Sequence, residues 1–373
     1  MPASVLICQR QGAGGRTVPL IRFSGKLPRK NASFTEASNV LVREMDAWVR
    51  ERALVKPSPY RSRFRQGATL VPQCFWFVRF DASPWGFNPT APPVSSDLQP
   101  DAKKPWRDLE LRGQIESEYI WSCALPGDIL PFIPLRMKPV VLPLLVGANG
   151  KVQLIDSAGA SGRGSGHLGD WLKEAESYWA ARRTEKSPKH LSQRLDYSKE
   201  LSAQFPAKGR YVILFTKSAT YLTACLIDRE LVPEFRVGEQ SVRPRGLVVD
   251  DTTYWWATDD EDEAFYLLAW LNSPSVDAAI KVDQTMGLYG PRDIHKRPLE
   301  FPLAVFDSKA GDHRGLAEAG RRAYKAAAEA ASTLPKYKSI ASLRSSMRSQ
   351  PKVAKELELI RRLTGKLVPD VAL

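Results

Sequence analysis

Hydrophobic and polar positions along this chain predict strands through its middle and helices toward its end. Residues 4–8 (SVLIC) read as a short buried strand, followed by a glycine-bearing turn and a second strand around residues 18–23. Over residues 34–54 the apolar positions Val40, Leu41, Met45, Trp48 and Val49 fall on one side at helical spacing, so a helix is predicted there, stopped by Pro57 and Pro59. Residues 68–80 (ATLVPQCFWFVRF) are rich in β-branched and aromatic side chains and predict a strand. Residues 83–105 are Pro-rich and irregular, a surface loop or linker, and residues 135–145 and 152–156 are further strand candidates.

An amphipathic helix is predicted over residues 168–183, carrying Trp171, Leu172, Ala175 and Trp179. Residues 211–215 and 221–228 predict a hairpin around Lys217-Ser218, and residues 247–249 and 254–257 a second one around Asp250-Asp251. Thr258-Asp259-Asp260-Glu261 is a capping-box pattern that opens a helix over residues 260–272, ended by Ser273-Pro274. An alanine-rich helix over 316–332 and another over 353–363, joined by a polar link, complete the pattern, and no internal repeat is present. The predicted class is α+β: a mixed β-sheet domain with flanking helices and a C-terminal helical appendage.

At 373 residues and 43% hydrophobic content, the chain has material for two or three domains. Cys8, Cys74, Cys123 and Cys225 lie far apart, which argues against a disulfide scaffold or a structural zinc site and favours a reducing, cytoplasmic setting. The most apolar stretch, residues 140–146, is broken by Pro143 and is far short of the ~20 residues that span a bilayer, so no membrane partner is expected. No charged-then-apolar leader is read at the start.

Charge narrows the partner. The 54 Lys and Arg against 41 Asp and Glu give a net charge of +13, and its placement is uneven. Residues 56–80 hold five basic side chains and no acidic one, and residues 311–373 hold 13 basic against 6 acidic. A polyanion is the partner such a chain fits.

Most motifs that suggest chemistry fail on spacing. Gly164-Ser165-Gly166-His167-Leu168-Gly169 has the G-x-G-x-x-G form, but residues 157–163 separate it from the preceding strand, where a dinucleotide fold needs the glycines to follow at once. A flexible glycine loop is the simpler reading. A nuclease core needs clustered carboxylates with a lysine; the only acidic-x-Lys triplets, Asp101-Ala102-Lys103 and Asp307-Ser308-Lys309, lack an upstream acid on a paired strand. No G-x-S-x-G, H-E-x-x-H or G-K-[ST] motif occurs. His295, beside Arg292, Lys296 and Arg297, reads as part of a basic loop. No catalytic, cofactor or metal residue is therefore assigned to this chain, which alone is expected to catalyse nothing.

Six blocks in order nevertheless resemble the C-terminal, target-recognition half of modular DNA adenine methyltransferases, including the Taq-like enzymes, of restriction–modification and phage-defence systems. They are residues 60–79 (YRSRFRQGATLVPQCFWFVR), 113–132 (GQIESEYIWSCALPGDILPF), 194–204 (RLDYSKELSAQ), 263–273 (EAFYLLAWLNS), 290–306 (GPRDIHKRPLEFPLAVF) and 313–317 (HRGLA). The LLAWLNS segment with the glycine loop after it also resembles the specificity subunits of multi-subunit methylase systems. The family's S-adenosylmethionine loop and its (Asn/Asp)-Pro-Pro-(aromatic) adenine motif do not occur; Ser58-Pro59-Tyr60 lacks the second proline and Asn88-Pro89-Thr90 the aromatic.

The resemblance implies three regions: residues 1–56, the remnant of a methyltransferase-type sheet with a connecting helix; 57–310, the target-recognition domain; and 311–373, the helical region. It implies double-stranded DNA as partner and S-adenosylmethionine on a separate methyltransferase catalytic chain. The alternatives are a non-catalytic DNA-binding module, or a fragment completing a methyltransferase site in trans.

Recognition needs phosphate contacts that position and base-edge contacts that specify. Arg61, Arg63 and Arg65 alternate and share one face if the segment is extended, as phosphate or groove contacts or as a solvated arginine face. In the loop at residues 285–297 Arg292 suits a bidentate guanine contact and Lys296 a phosphate contact, with His295 and Arg297 beside them. Lys217 and Ser218 sit at a predicted hairpin tip. The aromatic runs Phe75-Trp76-Phe77 and Tyr254-Trp255-Trp256 read mainly as core.

Overall fold

A computed structural model describes residues 17–25, 27–29, 31–49, 56–82, 86–98, 102–147, 150–281, 283–287, 290–334 and 339–371. The chain divides into two units, Met1–Lys56 and Pro57–Leu373. In the first, β1 (Thr17–Ser24) is followed by α1 (Phe34–Val40) and β2 (Val42–Val49), and β1 pairs antiparallel with β2 from Thr17 opposite Val49 to Ser24 opposite Val42. The predicted strand at 18–23 is thus present, whereas the helix predicted over 34–54 ends at Val40. Ser33 and Glu36 form a full capping box that starts the short helix. Beyond it Val42, Trp48 and Val49 suit a strand, and the β1 ladder supplies its hydrogen bonds. The strand predicted at residues 4–8 lies outside the described residues.

The second unit runs through α2 (Tyr60–Arg63), β3 (Arg65–Gln66), α3 (Gln73–Trp76), β4 (Val78–Phe80), β5 (Pro93–Ser96), β6 (Arg112–Gln114), β7 (Ile120–Cys123), β8 (Lys138–Val141), β9 (Leu144–Val146) and β10 (Val152–Leu154). It continues with α4 (Ser157–Ser161), α5 (Gly166–Arg182), α6 (Leu191–Leu195), β11 (Tyr211–Thr216), β12 (Ala224–Asp228), β13 (Phe235–Val237), β14 (Gln240–Val242), β15 (Leu247–Val248) and β16 (Thr253–Thr258). The last part holds α7 (Glu261–Trp270), α8 (Pro274–Lys281), β17 (Met286–Gly287), β18 (Gly290–Pro291), α9 (Gly311–Ala331), α10 (Ile340–Ser349) and α11 (Pro351–Leu367). The fold is α+β with several small sheets. The largest has the order β12-β11-β16-β3, and the sheet β15-β7-β8 is mixed, with β15 parallel to β7.

The four-stranded sheet separates two cores, which follows from the period-2 geometry of its strands. Along β11, Ile213 and Phe215 face a core shared with α7, α8, α9, α10 and α11, while Val212 and Leu214 face a smaller one with Leu247 and Val249. β12 repeats the division, with Ala224 and Leu226 on the first side and Cys225 and Ile227 on the second. A third core gathers Phe75, Trp76 and Phe77 with Trp171, Leu172 and Trp179 of α5. Residues 264–271 are apolar on all sides, and every one is buried, as a central helix requires. Against it α9 passes so closely that a Cβ on Gly320 would run into the carbonyl of Phe265.

Several sequence expectations are corrected here. Residues 68–80 are not one strand: Ala68 makes a single bridge to Asp250, Pro72 interrupts the ladder, α3 buries Cys74, Phe75 and Trp76, and β4 covers only Val78–Phe80. The 83–105 segment contains β5, which is central in the sheet β4-β5-β6. The residues at 247–249 and 254–257 do not pair with each other; β15 joins β7, and β16 lies between β11 and β3. Asp250 is accordingly a buried crossover residue and not a hairpin tip. The polar link before residue 353 holds α10, docked because buried Arg344 donates from Nε to the Ile129 carbonyl at 2.9 Å. The central helix starts at Glu261 and its cap is Asp260, whose carboxylate accepts from the Glu263 N–H at 3.0 Å; Thr258 instead donates to the Glu263 carboxylate at 2.9 Å.

Candidate nucleic-acid interface

Residues 58–60 anchor the first basic segment. Buried Ser58 donates its hydroxyl to the Leu303 carbonyl at 2.7 Å, and its N–H meets the carbonyls of Leu299 and Phe301. Tyr60, with its ring fully buried, donates to Glu263 at 2.7 Å and accepts from the Phe306 N–H at 2.9 Å. With Tyr60 and Phe64 both buried, the backbone between them turns helically, and Arg61 and Arg63 lie on α2 while Arg65 lies on edge strand β3. The three arginines therefore do not share an extended face.

Their environments differ. Arg61 has only a loose ion pair with Glu300, 3.7 Å away, and its side chain is 48% exposed. Arg63 is committed to the protein: it lies 3.6 Å from Glu263 and over the rings of Tyr60 (5.1 Å) and Trp256 (5.9 Å). Arg65 is exposed, and no contact among the described residues ties it to the other two.

The hairpin β11–β12 forms as predicted, from Tyr211 opposite Asp228 to Phe215 opposite Ala224. Its turn end is fixed by fully buried Asn272, whose side chain accepts from the Ala224 N–H and donates to the Ala224 carbonyl, and by Asp277, which accepts from the Leu222 N–H at 2.6 Å. The LLAWLNS segment thus sets where Lys217 and Ser218 sit.

Residues 292–297 meet that tip. The His295 N–H donates to the Lys217 carbonyl at 2.9 Å, and the Asp293 N–H to the Ser218 hydroxyl at 3.4 Å. Asp293 (φ 51°) and His295 (φ 47°) both adopt the left-handed backbone region, which Asp and His tolerate better than most residues. Buried Ile294, Pro298 and Leu299 pin the loop from beneath, and Trp270 donates to the Pro298 carbonyl at 2.9 Å. Lys296 reaches back to the Arg61 carbonyl at 3.1 Å and lies 5.6 Å from the Tyr254 ring. Burial, with Arg61 beside it, holds the Lys296 ammonium below its ordinary pKa.

Three basic segments remote in sequence thus become one surface: Arg61, Lys217-Ser218 and the 292–297 loop. Among the described residues Lys217, Arg292 and Lys296 make no ion pair, and one guanidinium nitrogen of Arg297 is buried without a partner. His295 is half exposed, 4.0 Å from Asp293. Sequence reasoning did not assign Arg194, yet it and Lys217 both counter the burial that raises the Asp251 carboxyl. Only the folded crossover at 250–251 brings these two cations to one carboxylate.

Elsewhere, the glycine motif lies at the start of α5, preceded by the short helix α4, so it is not a free loop. The Glu116 carboxylate accepts from the N–H groups of His167 (3.0 Å) and Leu168 (2.9 Å), an anion from the chain itself at the helix N-terminus. Among the described residues no cluster of three or more His, Cys, Asp and Glu side chains is placed to hold a metal ion, and no helix is long and apolar enough to cross a membrane.

No family model and no curated protein matches this chain. Among solved structures it is similar to the type IIL restriction-modification enzyme MmeI in complex with DNA, at 14% identity and a TM-score of 0.47, over 85% of this chain and 33% of that one. It is also similar to the type IIG restriction endonuclease BpuSI, at 14% identity and a TM-score of 0.32, over 84% of this chain and 32% of that one. The chain spans about a third of the length of each of these two proteins.

Proposed function

We propose that this chain recognises duplex DNA in a sequence-dependent way, as the specificity part of a restriction–modification adenine methyltransferase. A methyltransferase catalytic chain would carry S-adenosylmethionine and flip the target adenine while this chain grips the duplex. The observation that supports the reading best is the joining of Arg61, Lys217-Ser218 and the 292–297 loop by the hydrogen bonds of His295, Asp293 and Lys296. A basic surface assembled from three segments, whose lysines make no ion pair among the described residues, suits phosphates, and an arginine beside them suits a base edge.

Arg61, Lys217 and Lys296 are read as phosphate contacts, with Ser218 and His295 as hydrogen-bonding neighbours. Arg292 is read as the base-reading side chain, Arg65 as a contact at the sheet edge and Arg297 as loop support. The test is fluorescence anisotropy of a labelled duplex with the full chain. Replacing Lys217 and Lys296 together by alanine should flatten the slope of log K against log salt by up to about two units. An unchanged slope would remove the patch from the interface.

A further inference from the structure

A second basic feature adjoins the first through Arg194. An open cleft of about 550 Å³ is lined by Lys103, Lys104, Arg107, Arg182, Arg183 and Arg194, and no carboxylate lines it among the described residues. None of these six cations makes an ion pair with a described residue. Arg107 donates to the Ala102 carbonyl at 2.7 Å, Arg182 to the Pro105 carbonyl at 2.8 Å and Arg183 to the Ser187 carbonyl at 3.4 Å. Those bonds orient three guanidiniums without neutralising them, while Arg194 also acts on the Asp251 carboxylate.

The same cleft has an aromatic and apolar side. The indoles of Trp106 and Trp179 stack there with centroids 5.7 Å apart and planes 16° from parallel, and Phe75 meets Trp106 edge-on. Trp179 is buried and donates to the Pro188 carbonyl, so the stack is fixed while Trp106 stays partly accessible. Val71, Pro72 and Leu98 complete the apolar lining.

We infer that this cleft is a binding site for a free nucleoside triphosphate, with the base on the apolar side and the phosphates among the cations. The charge count favours this ligand over a stretch of DNA: six cations on one cleft answer a triphosphate, whereas a strand brings one charge per nucleotide. The volume falls in the range of small-molecule sites, and guanidiniums already held by carbonyls lose little freedom on binding phosphate.

The test is calorimetry on the full chain with ATP, adenosine and inorganic triphosphate as probes, beside duplex anisotropy. Lys103 and Lys104 are exposed, so the double variant Lys103→Ala, Lys104→Ala keeps the fold, which its melting temperature verifies. ATP should bind with one-to-one stoichiometry, with adenosine and inorganic triphosphate each at least about tenfold weaker. The double variant should weaken ATP by about tenfold or more and leave duplex affinity unchanged, whereas Lys217→Ala with Lys296→Ala should do the reverse. No heat with ATP up to about 1 mM would overturn the inference. So would inorganic triphosphate binding as well as ATP, unaltered ATP binding in the double variant, or loss of duplex affinity in it, which would make the cleft part of a DNA track.

Discussion

The ammonium of Lys296 donates to the backbone carbonyl of Arg61, 3.1 Å away across 235 positions of sequence. A lysine that spends one hydrogen on a carbonyl keeps its charge and two further donors, so the bond fixes where the charge sits without neutralising it. Lys296→Ala should therefore weaken binding of every duplex alike and lower the salt slope by ~0.9, as one lost phosphate contact does. A loss confined to one sequence would give Lys296 a base-reading role instead.

Arg63 should behave differently, because Glu263 and the rings of Tyr60 and Trp256 already hold it. Arg63→Ala is expected to lower stability by about 1 kcal/mol, through the lost cation–π contacts and a partly exposed ion pair, and to leave the salt slope of DNA binding as it was. Denaturant unfolding beside a salt titration separates the two effects. A flattened slope at unchanged stability would place Arg63 on the DNA.

The cap of the central helix is a third case. Asp260→Ala removes the acceptor for the Glu263 N–H and should cost about 1 kcal/mol, measured by denaturant unfolding, with duplex affinity unchanged. A large change in affinity at full stability would assign the acidic run at 259–263 a binding role.

Asp250 gives the fold a pH dependence. Its side chain is buried, with Oδ1 held by Thr252 and Oδ2 without a partner, and burial pushes its carboxyl up to about 6. A folded-state pKa raised above the unfolded value means that the folded state binds the proton more tightly. The stability it contributes is full below the unfolded pKa of about 4 and is lost as pH rises through about 6. Asp250→Asn cannot ionise, so the melting temperature of the wild type relative to this variant should fall between about pH 4 and about pH 7. A difference that stays constant over that window would contradict the ionisation at Asp250.

What could be read from the sequence divides along physical lines. Elements specified by local pattern were legible: the hairpin carrying Lys217-Ser218, the helix with Trp171 and Trp179, and the apolar helix that follows the acidic run at 259–263. Those decided by distant partners were not. Residues 42–49 carry spacing that suits a helix or a strand, and the ladder with β1 decided it. Tyr254 and Val248 lie close in sequence, yet they pair with different strands. The basic residues of the interface were visible one by one, but the helical turn at Tyr60 breaks the alternation assumed for Arg61, Arg63 and Arg65. The cleft at Trp106 and Arg182 needs segments some 75 residues apart in one place, a juxtaposition no local pattern announces.

Arg292 is the one side chain proposed to read a base, so the proposed function turns on it most directly. Its loop is held by its own N–H to the Thr285 carbonyl at 2.8 Å and by the contacts of Asp293 and His295 with the hairpin tip. Affinity of the full chain, with the proposed methyltransferase catalytic chain added, is measured on a preferred and a scrambled duplex at several salt concentrations, for the wild type and Arg292→Ala. The variant should lose ~1–3 kcal/mol on the preferred duplex only and relax one position of the site, with the salt slope on the scrambled duplex unchanged. Equal weakening on both duplexes would contradict the account, for the loop would then only position the DNA and specificity would reside elsewhere.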